Sequence, residues 1–181
     1  LASAALLVYQ DAKPWIGHQA HIRAARNTGD SMTETLILNT TQGRVVIALR
    51  PDLAPGHVAR ITELAKEGFY DGVVFHRVID GFMAQTGDPT GTGSGGSGKK
   101  LPAEFSDETH ARGVVSMARA GHPDSADSQF FICFADAAFL DGKYTVWGQV
   151  IEGMENVDKI KRGEPVKDPD RIIDAKVESA A

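Results

Sequence analysis

The chain has 181 residues, enough for one ordinary domain with a tail and a real buried core. Its 42% apolar and 24% charged residues are ordinary for a globular domain, and its net charge of −5 speaks against a general nucleic-acid binder. The single cysteine, Cys133, excludes an internal disulfide and a multi-cysteine zinc site, and no apolar run approaches the ~20 residues of a membrane helix. Residues 1–31 differ in character from the rest of the chain: they open LASAALLVY, which lacks the basic start of a secretory leader. They are read as an extension outside the folded domain, weakly ordered or non-native. The competing reading is a targeting or docking segment. The folded domain is expected over 32–181, and without a recognisable leader the expected location is the cytoplasm.

Leu36–Leu38 and Val45–Leu49 are short apolar runs separated by the turn signal Thr40-Thr41-Gln42-Gly43, which predicts a hairpin. Pro55 starts a helix, where its missing N–H costs nothing. Val58, Ile61, Leu64 and Ala65 recur at helical spacing and Gly68 ends it. Strand-like runs come next, at Val73–Ile79, Phe82–Thr86, Val114–Ala118, Gln129–Phe134 and Thr145–Val150. Met154, Val157 and Ile160 suggest a second short helix with Lys159, Lys161 and Arg162 at its negative end. Arg171–Glu178 alternates as a last strand. Many short strands with two helices favour a barrel or sandwich over a doubly wound sheet.

Several motifs have bland readings. Gly93 to Lys99 fits G-x-x-x-x-G-K, yet Lys100 stands where a P-loop needs Ser or Thr, and Pro102 breaks the helix that should come after it. Residues 90–100 are therefore read as a flexible, solvated loop. His18 and His21 have metal-ligand spacing but no further ligand nearby. Cys133 lies inside an apolar run and reads as a buried thiol. Ser116, His122 and Asp124 could be cast as a triad, as in any sequence this long.

The informative stretch is FHRVIDGFMAQTGD, Phe75 to Asp88. Arg77 sits on an apolar strand, and Gly81 can reverse the chain before Phe82, Met83 and Gln85. Alternation puts Phe75, Arg77 and Ile79 on one face and His76 and Val78 on the other, so Arg77 is a candidate to share a concave face with Phe82 or Met83. A second stretch, Met117 to Val150, concentrates Phe131, Phe139 and Leu140 near Gln129, while Phe130, Phe134 and Trp147 read better as core.

At these two stretches the sequence resembles the cyclophilin family of peptidyl-prolyl isomerases, its bacterial members above all. The first is similar to FHR-x-I-x-GF-x-x-QGGD; the second is similar to MA-x-A, then SQFFI, then LDG-K-x-x-V-x-G-x-V. The resemblance extends from about Glu34 to Val177. It implies a mainly β fold, a closed antiparallel eight-stranded barrel capped by two α-helices. It also implies catalysis of rotation about X-Pro bonds in protein folding, by Arg77 with Gln85 and Phe82. The proline pocket falls on Phe82, Met83, Phe131 and Leu140. Ala118, Arg119 and Ala120 match the edge that pairs with the peptide backbone, and His76, Gln129, Phe139 and Tyr144 match further site positions. No bond breaks in such a rotation, so no metal or cofactor is expected. The expected partners are proline-containing peptides and unfolded chains, and the expected state is a monomer.

The sequence departs from the family pattern at Asp80, Thr86 and Arg119. Phe139 and Tyr144 stand where drug-sensitive members carry tryptophan and often histidine, which predicts weak binding of cyclosporin-like ligands. The alternative reading is a proline-peptide binding module or chaperone with incidental turnover, needing the same pocket but not Arg77.

Overall fold

Leu36, Leu38, Val45 and Ile47 are apolar at period two, and in the computed structural model, which describes residues 33–179, all four are buried. They lie on β1 (Glu34–Thr40) and β2 (Gly43–Leu49), antiparallel partners with Thr40 opposite Gly43. The predicted hairpin is therefore present. Thr40 steadies it by donating its hydroxyl to the Gly43 carbonyl at 2.8 Å. The remaining strands are β3 (Arg77–Ile79), β4 (Met83–Thr86), β5 (Val114–Met117), β6 (Phe130–Cys133), β7 (Val146–Glu152) and β8 (Ile172–Ser179). They form one antiparallel eight-stranded sheet in the order β3-β4-β6-β5-β7-β2-β1-β8.

The sheet is strongly curled, but no ladder joins its outer strands β3 and β8. The expected closed barrel is thus corrected to a curled sheet. The chain just before β3 meets the start of β8 through separate backbone bonds: Gly72 N–H to Ile172 O at 2.7 Å, Ile172 N–H to Val73 O at 2.8 Å and Phe75 N–H to Asp170 O at 2.9 Å. The strand expected over Val73–Ile79 shortens to its last three residues for the same reason. A single bridge, Val74 to Arg171, replaces a continuous ladder over its first half.

α1 (Pro55–Lys66) buries His57, Val58, Ile61, Leu64 and Ala65, the face its spacing predicts. It has no local side-chain cap at Ala54. The Glu104 carboxylate caps it from a distant loop, accepting from the Gly56 and His57 N–H groups at 3.0 and 2.9 Å and from His57 Nδ1 at 2.6 Å. Partial burial would raise the Glu104 pKa, but these bonds outweigh it and hold the group below its usual range. α2 (Met154–Val157) is the expected second short helix, reduced to one turn that stops before Ile160. Its continuation tightens into three-residue bonds, Lys159 N–H to Asn156 O and Ile160 N–H to Val157 O. Among the described residues only α1 is a substantial helix. Arg162 still closes the segment, donating to the Asp158 and Ile160 carbonyls.

The main core lies between α1 and the inner face of the sheet, and includes Trp147, Tyr70, Phe130, Leu36, Ile47 and Ile61. Phe130, Phe134 and Trp147 belong to it, as their sequence context suggests. The extension over 1–31, with His18 and His21, lies outside the described residues.

Because Glu104 satisfies two donors at the start of α1, Glu104→Ala should lower stability by about 1–2 kcal/mol. Glu104→Gln, which keeps an acceptor, should lose less. Denaturant unfolding with an unchanged slope would measure both, and equal stability of Glu104→Ala and wild type would contradict the assignment.

Candidate active site

The strands β3, β4 and β6 carry alternating residues whose two faces meet different surroundings. Val78, Ala84, Phe130 and Ile132 point into the main core. Their neighbours Met83, Phe131 and Cys133 form a second apolar cluster with Ala137 and Leu140, and Ile79, Phe82, Ala118 and Tyr144 pack against it. The ladder register places Arg77 opposite Gln85, and Gln85 opposite Phe131. A cation, an amide and an aromatic ring thus form one row across three strands, directly cross-strand and within reach of one another. Gly81, at φ +68°, lies in the turn that folds β4 back onto β3.

This row lies along an open cleft of about 450 Å³. His76, Arg77, Phe82, Met83, Gln85, Ala118, Arg119, Phe131, Leu140 and Tyr144 line it, so ten of the expected site residues come together. Ala120 and Gln129 instead line an adjoining hollow of about 340 Å³, which shares Gln85, Ala118 and Arg119 with the cleft. Phe139 stands at the edge, 64% exposed, with its ring 5.3 Å from that of Phe82. The floor is apolar and nearly sealed, with Met83, Phe131 and Leu140 buried. Tyr144 meets Phe131 edge to face and carries the Arg119 guanidinium 4.7 Å above its own ring. Arg119 also donates to the carbonyls of Lys143, Ala120 and Gly121, so its side chain is tied to its own loops.

One expected placement is corrected. Phe75 is buried in the main core, while His76 shares the cleft with Arg77. Period-two alternation holds from Arg77 onward, but residues 74–76 precede the ladder and do not share its pleat. His76 is nearly buried, and neither ring nitrogen meets a protein partner among the described residues. Burial pushes its pKa down from the ordinary histidine value; Asp88 partly opposes this and Arg77 reinforces it, so the ring is neutral near pH 7.

The polar wall is a relay. Arg77 Nη1 faces Gln85 Oε1 at 3.4 Å, a long contact. Gln85 Nε2 donates to Gln129 Oε1 at 2.9 Å, and Gln129 Nε2 donates to the carbonyls of Gly93 and Gly95 at 3.0 and 2.8 Å. The glycine-rich loop therefore buttresses the arginine's neighbours, a role its composition does not suggest. Two carboxylates fold it. Buried Asp88 accepts from the N–H groups of Thr90, Gly93 and Gly95 and from the Thr90 hydroxyl, while Asp127 accepts from Ser97 N–H, Ser97 hydroxyl and Gly98 N–H. A Cβ at Gly95 would lie 2.1 Å from Asp88 Oδ1, so the carboxylate needs glycine there. Desolvation would raise the Asp88 pKa, but the bonds from Thr90, Gly95 and Gly93 bring it down to about 2.

Thr86, a departure from the family pattern, is buried and donates its hydroxyl to the Val74 carbonyl at 3.0 Å. Asp80, another, pairs with Arg162 at 3.1 Å. Cys133 is buried behind the cleft floor, and burial pushes its thiol up to about 12, which makes it inert as a nucleophile. Ser116 has a histidine and an aspartate aligned with it, but these are His110 and Asp141, at 2.9 Å each along the chain of contacts. The hydroxyl is buried and donates to the Thr145 carbonyl, so it faces no substrate. His122 and Asp124 meet each other through Asp124 N–H to His122 Nδ1, and the Asp124 carboxylate accepts from Ala103 N–H at 2.8 Å, so neither is joined to Ser116. Among the described residues no group of three or more His, Cys, Asp or Glu is placed to hold a metal.

Residue-by-residue reading misses Thr92, Gly93, Glu164 and Pro165, which also line the cleft. Gly93 lies in a loop whose composition suggests only solvent. Glu164 is 87 positions from Arg77 and accepts from its Nε at 2.7 Å, a pairing no local pattern signals.

A curled antiparallel sheet with an arginine–glutamine wall over an apolar cleft defines a class, and comparison with known proteins gives the same one. Residues 35–179 match the family model described as cyclophilin type peptidyl-prolyl cis-trans isomerase/CLD. A probable peptidyl-prolyl cis-trans isomerase of Brucella suis is 53% identical over 162 aligned residues, covering 80% of this chain and 83% of that protein. A peptidyl-prolyl cis-trans isomerase of Helicobacter pylori is 46% identical over 134, covering 72% and 82%. The structure of a Cryptosporidium parvum cyclophilin-type isomerase in the presence of the dipeptide Ala-Pro superposes with a TM-score of 0.75 at 30% identity, covering 80% of this chain and 99% of that one. The chain belongs to the cyclophilin family and is a peptidyl-prolyl cis-trans isomerase.

Because Asp88 organises the loop behind Gln129, Asp88→Asn should speed amide exchange at Gly93 and Gly95 by about tenfold or more. The native pKa of about 2 lies below the unfolded value, so the stabilisation is complete above about pH 4 and fades as pH falls toward about 2. The melting-temperature difference between wild type and Asp88→Asn should shrink over that range. A difference independent of pH would contradict the account.

Proposed function

We propose that this isomerase turns the X-Pro bond with Arg77 as the donor to the proline nitrogen, Gln85 as the group that orients both arginine and substrate, and Phe82, Met83, Phe131 and Leu140 as the seat of the proline ring. The observation that carries the reading is the cross-strand row, which holds a charged guanidinium at the edge of a dry apolar floor. Ala118, Arg119 and Ala120 offer backbone to the peptide. The Arg119 side chain is occupied with Tyr144 and nearby carbonyls, so its contribution to the peptide would be through backbone. Proline-containing peptides and unfolded chains are the substrates this cleft fits. The Ala-Pro dipeptide named with the Cryptosporidium structure supports that class.

The chemistry starts from the amide. Rotation about the partly double C–N bond faces a barrier of ~18–20 kcal/mol. In the twisted transition state the nitrogen lone pair is no longer delocalised and becomes an acceptor. A donor aimed at it stabilises the twisted state over both planar ones, which is the differential binding catalysis requires. Arginine suits this because it stays charged and its fork is rigid. One charged hydrogen bond contributes about 1.5–3 kcal/mol, or roughly 10- to 150-fold. The rest comes from a dry floor that strengthens the bond and grips the ring while the preceding carbonyl swings.

Arg77→Ala should lose about 10²–10³ in kcat/KM with its melting temperature retained, measured by NMR exchange on an Ala-Pro peptide. Activity within about threefold of wild type would overturn the role of Arg77, and undiminished peptide binding with low turnover in wild type would favour the binding-module reading instead. Phe139 lacks the indole N–H of tryptophan, so cyclosporin should bind weakly and Phe139→Trp should tighten it by roughly tenfold, the value of one hydrogen bond. Nanomolar inhibition of the wild-type protein would contradict this.

A further inference from the structure

Glu164 reaches the arginine from a part of the chain the motifs do not cover. Its Oε1 accepts from Arg77 Nε at 2.7 Å, and its side chain lines the cleft on a segment that also carries Pro165. That segment is docked beside β3 by backbone bonds on either side of Arg77. Val78 N–H donates to Gly163 O and Gly163 N–H to Val78 O, both at 2.8 Å, and Val166 N–H donates to His76 O at 3.1 Å. The carboxylate is therefore delivered to the arginine by main chain, although its own side chain is 58% exposed.

A guanidinium offers five N–H donors in one plane. Here Nε is taken by Glu164 and Nη1 faces Gln85, while Nη2 donates to no protein group among the described residues. Two anchors on opposite edges of a planar fork set both its plane and its rotation. The contact to Gln85, at 3.4 Å, is too long to do this alone. We infer that Glu164 is a positioning residue: it clamps Nε so that the remaining Nη donor is presented to the proline nitrogen. The inference rests on Arg77 being that donor. An exposed ion pair adds little to stability, so the consequence of the clamp is geometric and should be read in turnover rather than in folding.

Two-dimensional NMR exchange on an Ala-Pro peptide separates the dissociation constant from the rate of interconversion on the enzyme. Glu164→Ala should slow interconversion by about 5- to 20-fold, the scale of a misplaced group, with the dissociation constant within about twofold and the melting temperature unchanged. Glu164→Gln still offers Nε an acceptor and should recover to within about threefold of wild type. In an Arg77→Ala background, Glu164→Ala should have no further effect beyond about twofold. Glu164→Ala at wild-type rate, Glu164→Gln as slow as Glu164→Ala, or an undiminished effect without Arg77 would each overturn the clamp. If Arg77→Ala is slow and Glu164→Ala is not, the clamp alone fails. If Arg77→Ala is itself near wild type, the donor role fails and the clamp with it.

Discussion

The antiparallel register of β3, β4 and β6 is the constraint on which the site depends. Because side chains alternate, one strand face can build the core while the other builds the cleft. Val78, Ala84 and Ile132 anchor the inner face, and the same ladder then has no freedom to place Arg77, Gln85 and Phe131 anywhere but in a row on the outer one. A slip of one residue in β3 would drive the guanidinium toward the main core and bring Val78 to the cleft. The cost of burying that charge makes the slip prohibitive, so Arg77 itself helps to enforce the register.

Polar groups around the row are held by a different device. The glycine-rich loop has no ladder to rest on and folds around two carboxylates, Asp88 and Asp127, whose oxygens collect its amides. Glycine is what allows those amides to converge: at Gly87, with φ +90°, a Cβ would lie 2.4 Å from the Ser128 carbonyl oxygen. The loop's carbonyls then anchor Gln129, which anchors Gln85. Order in the loop and order at the arginine are one network, in which each buried polar group is useful only while the next is satisfied.

The parts of this arrangement legible in the sequence are those written in local patterns. The hairpin at Thr40–Gly43, the buried face of α1 and the pairing of Arg77 with an apolar stretch come from periodicity, turn chemistry and the two motifs. What is not legible depends on distant chain. The glycine loop looks solvated because its organising aspartates lie at and beyond its ends. Alternation puts Phe75 and His76 on the wrong faces because residues 74–76 make isolated backbone contacts where the sequence suggests a continuous strand. The capping of α1 by Glu104 and the approach of Glu164 to Arg77 join residues 48 and 87 positions apart, beyond any window a pattern can cover.

The half-exposed state of Arg77 reflects a compromise between two electrostatic demands. Full burial would strengthen a bond to the proline nitrogen but would impose a desolvation penalty on the empty enzyme of several kcal/mol. Full exposure would let water compete for the donor. The Arg77 side chain is 39% exposed, and its Nε is satisfied by Glu164. A peptide covering the cleft would displace water and bring the same charge into a lower dielectric. The energy to desolvate it would then come from seating the proline ring on Phe131, Met83 and Leu140, as proposed above. In the proposed mechanism, binding at the apolar floor and catalysis at the polar wall would thus be coupled through solvent, because a ring seated on the floor is what would dry the arginine.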